Sequence, residues 1–174
     1  MVDIKALEPN MRDIVNEQDE IVGQATKKEV VTKRLICRVA FIMLVNQDDE
    51  LLLHQRSANK KSYPLYWSGA AAGHLISGET YEEAAKREMK EEIGVEATLE
   101  FVGKFYSEED REMVGVFLGR YDGPVKVEPF EVARVENFSP DRLKAEWPNM
   151  RITSYVERSL PLVLPRLSGN RPDA

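Results

Sequence analysis

A chain of 174 residues is long enough for one domain with its own core, and 30 acidic against 24 basic side chains leave a net charge of −6. That balance excludes a general nucleic-acid binder and means that an anionic ligand must be caught locally, by a metal or a few cations. A single cysteine, Cys37, excludes an internal disulfide, and the longest apolar run, residues 39–45, is far too short to cross a bilayer. No leader segment is visible, so a reducing, cytoplasmic setting is expected.

In chain order, residues 13–16 and 21–24 flank a polar turn and predict a small hairpin. Residues 26–34 are polar and mixed, which suits a short helix, and residues 35–45 predict a buried strand that carries Cys37 as packing. After a turn at 46–50, the strand returns over 51–55 and opens into a loop, 57–66, rich in Lys and Pro. Small residues then lead to Gly73.

The next helix has clear ends. Thr80 and Glu83 have the spacing of a capping box, and Gly94 stands where a left-handed C-terminal cap is wanted. Between them Ala85, Met89 and Ile93 recur every four residues as a core-facing stripe. Residues 95–106, 113–121 and 129–138 predict further strands, with an acidic tip at 107–112. A short helix is expected from Ser139 to about Trp147, an amphipathic one over 154–164, and a frayed tail over 168–174. The sum is a mixed β-sheet with helices packed on it, an α/β (α+β) domain.

On the helix that follows Thr80, Glu88 lies three residues from Glu91 and four from Glu92. Those spacings put three carboxylates on one face, where like charges repel by about 0.2–0.5 kcal/mol per pair. A bound cation offsets that repulsion. Hard divalent ions such as Mg²⁺ take carboxylate oxygens and share them with substrate phosphates. The pattern therefore points to metal-assisted phosphate chemistry.

The run from Gly73 through Glu79, Arg87, Glu88, Glu91, Glu92, Ile93, Gly94 and Val95 resembles the Nudix box at every defined position. The resemblance implies the Nudix fold, with residues 1–34 as an N-terminal hairpin extension packed on a domain of residues 35–167. It implies Glu88, Glu91 and Glu92 as metal ligands with a carbonyl near Ala72 and Gly73, Mg²⁺ as the cofactor and Mn²⁺ as a substitute. Glu79 and Arg87 become a structural pair, with Gly94 as the cap. Gly73 lets the backbone approach the metal without a Cβ in the way. Homodimers are common in the family, and the substrate is a small diphosphate.

A further carboxylate is wanted as ligand or base. Glu131, in a Glu-Val-Ala-Arg-Val setting, resembles the family's late loop acid, while Glu108, Glu109 and Glu112 are rivals on a nearby tip. Arg56, Lys60 and Lys61 enter the loop expected to face the box and either grip phosphate or serve as surface charge. Tyr66 and Trp67 either stack on a base or pack in the core.

The order of features from about Asp13 to Phe138 also resembles the isopentenyl-diphosphate isomerase branch of the superfamily, in which Arg56 and Lys60 fall on diphosphate-binding positions. The isomerase needs a cysteine before its Gly-His pair, and here that residue is Ala72. It also needs two upstream histidines, which would fall near Val31 and Arg38, and of its metal ligands only His74 is matched. The expectation is therefore a phosphoanhydride hydrolase, with Glu92, Glu91 and Glu131 as candidate catalytic groups. An isomerase-like activity and a non-catalytic diphosphate-binding module are the alternatives.

Overall fold

The computed structural model describes residues 9–167. The expected tail over 168–174 and the first residues of the extension lie outside the described residues. The expected hairpin forms from β1 (Met11–Val15) and β2 (Ile21–Thr26). Helix α1 (Lys27–Lys33) follows, started by a Thr26/Glu29 capping box and stopped by Arg34 in a left-handed conformation. That stop delays the next strand: the Leu35 amide closes the helix end on the Val30 carbonyl, and β3 runs over Cys37–Val45.

Strand β3 is the spine of one nine-stranded mixed sheet. It pairs antiparallel with β1, with β4 (Leu51–Arg56) and with β6 (Ala71–His74), and parallel with β8 (Glu112–Arg120). Strand β4 continues to β5 (Trp67–Ser68) and β9 (Val132–Phe138), and β7 (Leu99–Ser107) pairs with β8. Two strands start later than their sequence suggests. Residues 95–98 first close the end of the preceding helix, where the Val95 amide reaches the Met89 carbonyl. The amides of Glu131 and Val132 both turn back to the Glu128 carbonyl, so pairing begins only at Val132.

Period-two alternation along β3 divides the core between two faces. Val39, Phe41, Met43 and Val45 pack on the face covered by α3 (Pro140–Glu146) and α4 (Ser154–Val163). Ala40, Ile42 and Leu44 pack on the other face against α2 (Tyr81–Ile93). In α2 the buried residues are Ala84, Ala85, Met89 and Ile93, the expected stripe plus one alanine. Thr80 and Glu83 form the expected capping box, and Gly94 closes the helix at φ 66°. Helices on both sides of a mixed sheet give the α+β layering expected from the sequence. Among the described residues, no helix is long and apolar enough to cross a membrane.

Candidate active site

Helix α2 lies over β6, and the two are joined by a loop that is held from three directions. Arg87 clamps Glu79 through two parallel hydrogen bonds, Nε to Oε1 at 2.7 Å and Nη2 to Oε2 at 2.9 Å. Glu79 is 4% exposed in its side chain and also accepts the Ile76 amide. From the hairpin, Asp13 accepts from Ser77 Oγ (2.6 Å) and from the Gly78 amide (2.9 Å). The hairpin is thus a strut for the loop that launches α2, a role that only the folded chain reveals.

The same Arg87 reaches the acidic face. Its Nη1 donates to Glu88 at 2.6 Å and to Glu91 at 3.4 Å. The repulsion within the trio is therefore partly neutralised by a protein cation, a partner that the Arg87/Glu91 spacing of four residues already offered. The hydrogen bonds that it donates to Glu79, and then its bond to Glu88, hold the guanidinium above its usual range. Gly73 is tied to this cluster by contact: a Cβ there would fall on the Glu88 carboxylate. The space that glycine opens is occupied by a candidate ligand, a closer reason for Gly73 than free approach of backbone to metal.

Glu92 points elsewhere. The residue as a whole is exposed, but its carboxyl end turns toward β6 and shares the lining of one cleft with Ala72. Burial of that end and the neighbouring Glu88 charge push its pKa up to about 7, against the pull of Lys60 and Arg56. Glu91 and Glu92 line a cleft of about 330 Å³ together with Arg56, Lys60 and Glu131. Lys60 is ion-paired to Glu131 across this cleft, and the Arg56 guanidinium donates to the Ser62 carbonyl at 2.9 and 3.1 Å. Alternation along β4 turns Leu52, His54 and Arg56 to the cleft side.

His54 is a cleft residue that sequence reading passed over. Its Nδ1 donates to the Gly69 carbonyl at 2.6 Å, and burial pulls the imidazole down to about 4. The ring is neutral near pH 7, which leaves Nε2 as an acceptor. Its strand position, two residues before Arg56, is the signal that would have found it.

Other candidates fall away from this cleft. Lys61 is exposed and outside the cleft lining. Glu108 and Glu109 stay on the exposed tip, whereas Glu112 turns to His74. Trp67 is buried edge-on against Phe138 at 5.1 Å, and Tyr66 meets Tyr63 at 5.4 Å, so neither is a cleft aromatic. A larger groove of about 690 Å³ around Arg134 and Arg142 contains none of the α2 carboxylates.

Residues 36–155 match the NUDIX domain model. The chain belongs to the Nudix family. It is 35% identical over 130 residues to an uncharacterized Nudix hydrolase of Pseudomonas aeruginosa, covering 73% of this chain and 77% of the relative. It is 32% identical over 170 residues to another from Yersinia pestis, covering 88% and 92%. A crystal structure from Deinococcus radiodurans superposes with a TM-score of 0.74 at 27% identity, covering 88% of this chain and 99% of that one. The Nudix domain of Shewanella oneidensis NrtR, solved with ADP-ribose, shares the fold at a TM-score of 0.61 and 16% identity, covering 83% and 100%. Within this family the chain is a hydrolase acting on pyrophosphate bonds.

Proposed function

We propose that this Nudix protein hydrolyses a phosphoanhydride bond in a nucleoside diphosphate derivative or a nucleotide, with Mg²⁺ as its metal. The observation that carries the reading is the shared cleft, in which Glu91 and Glu92 of α2 face Arg56, Lys60 and Glu131. The side-chain donors offered there are carboxylate oxygens, the set that Mg²⁺ or Mn²⁺ takes. The absence of a Cβ at Gly73, which lets the Glu88 carboxylate lie against β6, fits the same purpose. Glu88, Glu91 and Glu92, with the Gly73 backbone carbonyl, would hold the ion. When bound, it neutralises phosphate charge and activates water.

The protein's own groups do the rest. Arg56 and Lys60 bind the diphosphate, which requires Lys60 to exchange Glu131 for a phosphate oxygen. Glu131 is then released as a carboxylate at the cleft wall. Glu131 and Glu92 would then take the proton of the attacking water. Leu52, Ile93, Val125, Val127 and Val135 give the cleft an aliphatic wall beside its charged end, so the group beyond the diphosphate is held by apolar contact. Ala72 carries no acid or base, which sets isomerisation of an allylic diphosphate aside.

The test is a screen of nucleotide sugars, dinucleotides, nucleoside di- and triphosphates and allylic diphosphates, with and without Mg²⁺, with products identified. Metal-dependent release of phosphate or a nucleoside monophosphate is expected. Isomerised allylic product, or tight binding without turnover of any compound, would overturn the reading.

A further inference from the structure

Gly73 and His74 are neighbours on β6, and strand alternation sends them to opposite faces of the sheet. Gly73 pairs with Ala40 and meets Glu88 of α2. His74 pairs with Val39, on the face covered by α3 and α4. Two residues before Val39, on the same face of β3, stands Cys37, and its partner in the parallel β3–β8 register is Glu112. Three strand ends therefore deliver a thiol, an imidazole and a carboxylate to one point.

The contacts agree with the register. His74 Nε2 is 2.7 Å from Glu112 Oε1, and the Cys37 thiol lies beside both. One ligand atom from each residue lies within 4.8 Å of the others, and among the described residues no other three such side chains gather as tightly. Cys37 is 2% exposed, while the His74 side chain is 46% exposed, so the cluster has a buried base and an open mouth.

We propose that Cys37, His74 and Glu112 bind a borderline, thiophilic divalent cation of the zinc type, at a site distinct from the Mg²⁺ cleft. Sulfur, nitrogen and oxygen donors in one set select such an ion over Mg²⁺, which takes oxygen alone. Tetrahedral zinc holds its ligand atoms about 3.3–3.8 Å apart, a spread that three atoms all within 4.8 Å of one another can reach by small side-chain shifts. Three protein ligands leave a fourth position, and the open side at His74 admits water there. The ion would pin the ends of β3, β6 and β8 together behind Gly73, and so fix the strand that backs the acidic cluster. This assignment does not rest on the proposed substrate reaction.

The experiment loads the full chain with zinc alone, removes free metal by gel filtration and measures retained zinc per chain. Cobalt then serves as a spectroscopic stand-in. Wild type is expected to keep one zinc and to show a thiolate-to-cobalt charge-transfer band. Cys37→Ser should abolish the band, and His74→Ala and Glu112→Gln should each weaken zinc binding at least tenfold. Glu88→Gln and Glu92→Gln should leave the band intact. Should Cys37→Ser fail to fold by circular dichroism, His74→Ala, altered at an exposed side chain, decides the matter. Absence of retained zinc in wild type, a band that survives Cys37→Ser, or binding lost in Glu92→Gln instead would overturn the assignment.

Discussion

Two acidic centres in this molecule are built on opposite plans. Asp19, at the hairpin tip, is one buried carboxylate among many donors: Arg38 Nε and Lys104 Nζ each at 2.7 Å, and the Tyr81 hydroxyl at 3.0 and 3.1 Å. The α2 trio is three carboxylates with one close cation, Arg87, which also serves Glu79. The first centre is satisfied within the protein and has nothing left for a ligand. The second is short of positive charge, with Glu91 61% exposed and Glu92 raised toward neutral pH. A surplus of donors marks a structural joint, and a deficit marks a place for a cation.

The sharpest way to break this contrast is Glu92→Gln. Loss of about 10²–10⁴-fold in turnover is expected, with melting within about 2 °C of wild type, because a like-charge repulsion is removed along with the ligand. A comparable loss of stability in a thermal melt would make the trio a structural joint after all. Asp19→Asn should do the reverse. It strands the half-buried Arg38 and should cost about 3 kcal/mol, or roughly 6–12 °C, while turnover well below the melt stays near wild type.

Wild type and Asp19→Asn also separate in acid. Burial works to raise the Asp19 carboxyl, but hydrogen bonds from Lys104 and Arg38 outweigh it, and its folded pKa is lowered. A lowered carboxylate contributes stability above its unfolded value and loses it as pH falls through the folded one. Wild-type stability should therefore drop below about pH 4 more steeply than that of Asp19→Asn, read by urea melts across pH. Parallel curves would remove Asp19 from the account. The smallest effect is expected from Gly73→Ala, about 1–3 kcal/mol of crowding, with turnover falling far more than stability because the added methyl displaces Glu88. Equal activity in that variant would show that Glu88 can move aside at no cost.

Much of the α2 region was readable because its signals are local. Thr80 with Glu83, the stripe of Ala85, Met89 and Ile93, and Gly94 each depend on neighbours within a turn or two of helix. The layered sheet followed from strand periods in the same way. What sequence spacing did not show is contact across long separations: Asp13 with Ser77, Asp19 with Lys104, Cys37 with His74 and Glu112. These depend on which strands become neighbours, and the parallel β3–β8 pairing has no local signature. Arg87 is a different case. Its bonds to Glu88 and Glu91 are local, but the spacing alone does not show that one guanidinium serves Glu79 and both of them at once.

Strand β6 spans four residues, and two consecutive ones look opposite ways: a bare Cα toward α2 and an imidazole toward the far layer. Inserting or deleting a single residue there would exchange the two directions, driving a ring into the Glu88 carboxylate and leaving Cys37 opposite a hydrogen atom. Drift in the length of this segment is thereby barred in odd steps, and the two sides of the sheet must evolve in phase.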